Sequence, residues 1–278
     1  MSGFTGVTEN WIYNTPQGLQ YQIDNKFYVT DGLVLDLDAA NSLSYPGTGT
    51  TWTDLSGNGN NGTLVGPSYT TDNQGALVFD GVDDYVNFGN IFNDVFAGVD
   101  KKFTISAFVK YNNLLENGNV ILAKSGDSNF GENQRQISFG VRNPSNAYGS
   151  MELDFFTYFA LSVSSYTGYR TVNANIQTNQ YYNFVISYDG SYDSAERFGL
   201  YVNGVKYAVT PTFTAGSWGD IQPGNARMSV GATIGEKVTN IPVGLLNGNI
   251  AQVQIYNRAL SQAEVQHNFN VFKWRYGL

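Results

Sequence analysis

Over short stretches of the chain, apolar residues alternate with polar ones, and clusters of Gly, Asn, Asp and Ser interrupt the alternation. That pattern predicts short, half-buried strands joined by turns. Leu33, Leu35 and Leu37 share one face of a strand whose other face, Val34, Asp36 and Asp38, leans polar. Residues 76–79 and 85–88 predict two short strands around Asp80, Asp83 and Asp84. Phe103, Ile105, Ala107, Val109 and Tyr111 mark one face of a long strand. Ile137, Phe139 and Val141 alternate with Ser138, Gly140 and Arg142, and Met151, Leu153 and Phe155 with Glu152, Asp154 and Phe156. Tyr182, Phe184, Ile186 and Tyr188 repeat the pattern, and the last strand, 249–256, puts Ala251, Val253 and Ile255 on one face.

Two local signals are sharper. Asn203 and Gly204 stand at the tip of a hairpin over 198–207, because a type I′ turn needs positive φ at both central positions. Ser261 followed by Glu264 is a capping box, with Leu260 and Val265 spaced as a hydrophobic staple. Val265, Phe269 and Phe272 then fall on one face of a short helix. Nothing between the strands predicts a crossover helix, so a parallel α/β sheet is excluded. The expected fold is all-β: a two-sheet antiparallel sandwich over 31–260, with an N-terminal arm over 1–30 and a C-terminal helix and tail over 261–278. The arm is polar with scattered aromatics (Phe4, Trp11, Tyr13, Tyr21, Phe27, Tyr28). It packs on its own domain or docks on a neighbouring subunit.

Composition narrows the function. Among 278 residues there are 19 Tyr, 18 Phe, 4 Trp and 31 Gly, which fits strands and tight turns. There is no Cys, so disulfides and thiolate metal sites are excluded, and a chain of this length buries a core without them. A net charge of −8 repels nucleic acid. The first residues lack the basic and apolar regions of a secretory signal, and no run of about 18 apolar residues exists to cross a membrane.

Three stretches resemble the opening of laminin-G-like, concanavalin A-like domains: residues 32–39, the turn-rich 52–64 and 77–86. Residues 198–204 and 246–261 resemble the close of the same domains. The resemblance spans about residues 32 to 265 and implies a jelly-roll sandwich of the lectin and glucanase type, a fold that hosts lectins, hydrolases and structural modules. Residues 261–270 and the ending from Trp274 to Leu278 resemble the close of virion proteins from tailed, especially marine, bacteriophages. That resemblance implies a capsid decoration, head-fibre, neck or tail component on the particle surface. Its partners would be other virion proteins, further copies of itself and a host-surface glycan. A carbohydrate-binding lectin or adhesin module is the alternative, and a glycoside hydrolase the third reading.

The candidate chemistry bears on these readings. Retaining glycosidases need two carboxyl groups about 5 to 5.5 Å apart. Glu152 and Asp154 supply the start of such a set on a strand face, but Phe156 or Thr157 stands where the second Glu belongs. The single histidine, His267, sits in the predicted helix, no nucleophile elbow or phosphate-cradling loop is present, and zinc lacks ligands. The expectation is therefore a protein that is not an enzyme. The resemblance implies calcium at a sheet rim. Three acidic clusters offer oxygens for it: Asp80, Asp83 and Asp84; Asp189, Asp193 and Glu196; and Asp127, Asn129 and Glu132. The residues do not choose between them, and the third set is carried forward as the candidate. For sugar stacking, Tyr148, Tyr166, Tyr169 and Trp218 stand in predicted loops beside polar residues.

Overall fold

The computed structural model describes residues 27–115, 118–126, 135–142, 151–159, 165–234 and 242–278. The strands are β1 (Leu33–Asp38), β2 (Thr51–Trp52), β3 (Gly62–Val65), β4 (Ser68–Thr70), β5 (Ala76–Asp80), β6 (Tyr85–Gly89), β7 (Lys102–Asn113), β8 (Val120–Ser125) and β9 (Arg135–Arg142). They continue with β10 (Glu152–Tyr158), β11 (Tyr166–Thr171), β12 (Tyr181–Asp189), β13 (Phe198–Val202), β14 (Val205–Lys206), β15 (Val209–Ala215), β16 (Met228–Val230) and β17 (Asn247–Tyr256). The α-helices among the described residues are α1 (Asn93–Phe96) and α2 (Gln262–Phe272).

Among the described residues the strands form two antiparallel sheets. Sheet A runs β14-β13-β12-β7-β17-β5-β4, with β1 also pairing β17, and sheet B runs β15-β11-β10-β9-β8-β16-β6-β3-β2. This is the antiparallel sandwich that the alternation predicts. The hairpin forms as expected: Asn203 and Gly204 take φ of 52° and 75°, and Val202 pairs with Val205.

The core lies between the sheets. Phe103, Ile105, Phe184, Ile186, Val253 and Ile255 of sheet A meet Val86, Ile137, Phe139, Leu153 and Phe155 of sheet B, all inaccessible to solvent. Phe103 stacks on Tyr188 with centroids 4.7 Å apart. Burying each such side chain contributes about 2 kcal/mol. One register differs from the plain alternation. A bulge between Ile250 and Gln252 puts Ala251 on the opposite face from Val253 and Ile255, so Ile250 is their core companion. An inserted residue inverts the face of whatever precedes it, and the sequence pattern carries no mark of it.

The second face of sheet A is covered too. Phe269, Phe272 and Tyr276 pack on Phe108, Tyr181 and Ala251. Leu260 and Val265 pack on Val185, Tyr201 and Tyr256. The rings of Phe108 and Tyr276 stack 4.4 Å apart. The capping box forms, with Ser261 Oγ accepting from Glu264 N. This cover explains why Asp36 and Asp38 are buried although they lie on the polar-leaning face of β1. Arg275 donates to both oxygens of Asp38 at 2.8 Å, and Asp36 accepts from Tyr28 Oη at 2.5 Å and Gln254 Nε2 at 3.1 Å. Residues 27–30, the end of the expected arm, join this layer. Val29 N donates to Asn268 Oδ1 at 2.8 Å, and His267 Nε2 bonds Phe27 O at 2.7 Å, a packing role for the lone histidine. Residues 1–26 of the arm lie outside the described residues.

Helix α2 and the tail thus pack on the outer face of sheet A and not on that of sheet B.

Candidate functional site

Register decides what the outer face of sheet B presents. Across β9, β10 and β11, Ser138 stands opposite Phe156 and Phe156 opposite Gly168; Gly140 faces Asp154 and Asp154 faces Arg170; Tyr158 faces Tyr166. Directly opposed residues share a face, so these point away from the core while Phe139, Leu153 and Phe155 point into it. The result is a row of half-buried aromatics, Phe156, Tyr158 and Tyr166, with arginines over them. Arg142 lies 5.1 Å from the Phe156 centroid and Arg135 5.6 Å from that of Tyr158, while Tyr158 and Tyr166 are 5.8 Å apart. Gly168 makes room for the row. A Cβ there would meet Phe156 Cε1 at 2.3 Å, so the ring lies across bare backbone. Burial pushes the pKa of the Tyr158 phenol up, against the opposing pull of the Arg135 guanidinium.

Two carboxylates stand beside the row, and both are engaged. Asp154 is paired with Arg142 and accepts from Thr212 Oγ1 at 3.0 Å; burial raises its pKa despite those partners. Glu152 accepts from Thr171 Oγ1 at 2.5 Å and from Ala174 N at 3.1 Å. Phe156 continues their face where a glycosidase would carry its second acid.

Of the sugar-stacking residues nominated above, Tyr166 belongs to this row. Tyr169 is not on it. The stretch around Tyr166 and Tyr169 is a strand rather than a loop, and two residues three apart on a strand face opposite ways. Tyr169 therefore points inward, is 7% exposed and stacks on Phe198 at 4.8 Å. Trp218 is half-buried at one end of the sandwich, 6.0 Å from Phe159, with its ring 5.4 Å from the Arg197 guanidinium. That guanidinium is buried and held by Asp193 at 2.8 Å, Tyr188 Oη at 2.9 Å and Gly219 O at 2.7 Å, so Trp218 closes a cation cage. Tyr148 lies outside the described residues, as do Asp127, Asn129 and Glu132.

Of the other acidic clusters, Asp189 pairs with Lys102 at 2.8 Å, and Asp193 with Arg197. Asp80, Asp83 and Asp84 bring carboxylate oxygens within 4.8 Å of one another, but Asp84 Oδ2 and Asp80 Oδ1 already cap the amides of Asp80 and Val82 in the turn. Phe156 and Tyr158 escaped nomination because they sit in a strand. The signal was there, since the outward set of β10 is Glu152, Asp154, Phe156 and Tyr158, polar residues giving way to aromatics where solvent-facing positions are expected.

Two antiparallel sheets packed together, one covered on its outer face by a helix and the other carrying a half-buried aromatic row, make a lectin-like sandwich. Comparison with known families agrees, and the chain belongs to the concanavalin A-like lectin/glucanases superfamily, whose laminin-G-like model matches residues 80–266. A search of the curated proteins finds no match. Among solved structures, domain 4 of AbnA, a GH43 extracellular arabinanase from Geobacillus stearothermophilus in complex with arabinotriose, is 18% identical with a TM-score of 0.54, covering 84% of this chain and 96% of that one. The binding domain of Paraclostridial mosquitocidal protein 1 is 16% identical with a TM-score of 0.60, over 87% of this chain and 53% of that one. A botulinum neurotoxin type C structure, described by its dependence on two ganglioside molecules for cell entry, is 14% identical with a TM-score of 0.58, over 88% and 52%. The chain thus spans about half the length of the two toxin chains. At these identities the likeness is one of fold.

Proposed function

We propose that the chain is a non-catalytic glycan-binding module that uses the outer face of sheet B. The observation that carries this reading is the row Phe156, Tyr158 and Tyr166, with Arg135 and Arg142 over it. Half-exposed rings on a rigid sheet suit the apolar face of a sugar, and neighbouring arginines and carboxylates suit its hydroxyls. A neighbour in complex with arabinotriose and a neurotoxin whose cell entry depends on gangliosides share this fold and support the reading. The state of Glu152 and Asp154, both engaged by protein groups with Phe156 beside them, argues against a double displacement.

A glycan array tests the reading. Wild-type protein should give specific signals, and Phe156→Ala with Tyr166→Ala should lower them by about tenfold, roughly 1.4 kcal/mol of lost contact. An array silent at high protein concentration sinks it. On laminarin and agar, neither wild type nor Glu152→Gln should release reducing ends; release abolished by Glu152→Gln would make the chain a hydrolase.

The virion setting, with sheet B turned outward on a capsid, neck or tail, is carried by the resemblance of residues 261–278 to phage virion proteins. The same residues make the layer over sheet A. In this setting the chain assembles with itself, and light scattering should give a defined oligomer that falls apart when residues 1–26 are removed, leaving the packed residues 27–30 in place. A stable monomer would leave the glycan module without this setting.

A further inference from the structure

A concave feature lies toward the other edge of sheet B, where the β2–β3 loop meets the segment after β6. It is an open cleft of about 470 Å³, lined in part by Val34, Asn58, Asn60, Asn90, Ile91 and Asp94. Its volume falls in the ordinary range of ligand sites. In the sheet order it lies four strands from β10, roughly 19 Å at the usual strand spacing.

The amides of this cleft are fixed from behind. Asn90 Oδ1 accepts from Lys124 Nζ at 2.7 Å and from Asn93 Nδ2 at 3.2 Å, which among the described residues leaves Asn90 Nδ2 without a partner. Asn58 Nδ2 donates to Ser56 Oγ at 2.9 Å, and Asn60 Nδ2 to Val34 O at 2.9 Å, and among the described residues no group donates to either Oδ1. The loop that carries these two residues is itself tied to buried Asp54, which accepts from the amides of Ser56 and Asn60. Lys124 is an unusual anchor. It is inaccessible to solvent, its ammonium donates among the described residues to Asn90 Oδ1 and Ala226 O, and burial lowers its pKa to about 8. Burying a charge on neutral acceptors is costly, and here it fixes which end of a surface amide faces the cleft. Phe92 adds a second constraint. It takes φ of 62°, unfavourable for a bulky residue, and this turns its ring into the core against Phe96 at 5.9 Å while Asn90 and Asn93 stay at the surface.

We propose that this cleft is a second ligand site, separate from the aromatic face, for a single neutral sugar ring or a polyol of similar size. Its fixed donor at Asn90 and fixed acceptors at Asn58 and Asn60 match vicinal hydroxyls, which both give and take hydrogen bonds. Val34 and Ile91 offer a ring's C–H face an apolar strip. The exposed carboxylate of Asp94 lies on the rim and no cationic side chain lines the cleft, which disfavours an anionic ligand.

Titration of isotope-labelled full-length protein with D-glucose, D-galactose, D-mannose and L-arabinose, followed by NMR, tests this. At least one sugar should shift the signals of Asn58, Asn60, Asn90, Ile91 and Asp94, including the Asn90 side-chain amide. Asn90→Ala should weaken that response by about fivefold to tenfold, the loss of one hydrogen bond. Asn58→Ala, at the exposed rim, should act in the same direction without disturbing the partner of Lys124, so it serves if Asn90→Ala does not fold. The response should survive Phe156→Ala with Tyr166→Ala, which separates this site from the aromatic face. No shift at these residues with any of the four sugars overturns the proposal. So does a response indifferent to both Asn variants, or one abolished by the aromatic double variant.

Discussion

Phe156 lies flat across β11 because Gly168 has nothing to put in its way. Gly168→Ala would drive a methyl into the ring, displace it from the row, and leave the core on the other side of the sheet untouched. We expect glycan binding to fall with little change in the unfolding midpoint, measured on the same preparation; equal binding by the variant would remove Phe156 from the site. On the opposite sheet, Asp36 is the residue whose chemistry most affects stability. Burial pushes its carboxyl up to about 6, outweighing the hydrogen bonds from Tyr28 and Gln254. An unfolded Asp titrates near 3.9, so between about 4 and 6 the folded state holds the proton more tightly. The stability this group contributes is fully present below about pH 4 and is lost as pH rises through about 6, on the order of 3 kcal/mol. Urea unfolding across that window should show the decline, and Asp36→Asn should flatten it. Neither residue is legible beforehand. A glycine opposite an aromatic is visible only once the register is known, and Asp36 looks like a solvent-facing strand residue until the layer that buries it is placed.

That layer is the element-scale feature of the molecule. The capping box of α2 was legible because it depends on residues three apart, and so was the apolar face of Val265, Phe269 and Phe272. What local pattern does not say is which surface the helix covers, since that is set by Phe108, Tyr181 and Ala251 from three distant strands. The tail after α2 is fastened by Arg275 on Asp38, both nearly inaccessible. Arg275→Met strands a buried carboxylate and should cost about 3 to 5 kcal/mol in urea unfolding. Replacing both partners by leucine should recover much of that, because the isolated charge is the main penalty. A single-variant loss no larger than that of an exposed pair would mean that the tail does not seal the sheet. The β10–β11 region shows the opposite limit. Tyr166 and Tyr169 read as neighbours in a loop; as residues of a strand they part to opposite faces, one to the surface and one to the core.

Over the whole molecule, alternation and turn residues were enough for the two-sheet sandwich, because burial of one strand face is a local property that repeats. The candidate site was less legible, since its face is assembled from β9, β10 and β11 and depends on register across all of them. The two sheets differ: α2 and residues 27–30 cover the outer face of sheet A, and the outer face of sheet B carries the half-buried aromatic row. The most direct test of this account is to map the NMR shifts of labelled protein titrated with the oligosaccharide that gives the strongest array signal. The account predicts perturbations centred on Arg142, Phe156, Tyr158 and Tyr166, lost in the Phe156→Ala and Tyr166→Ala double variant. Perturbations centred on α2 and sheet A, or binding unchanged in that variant, would contradict it.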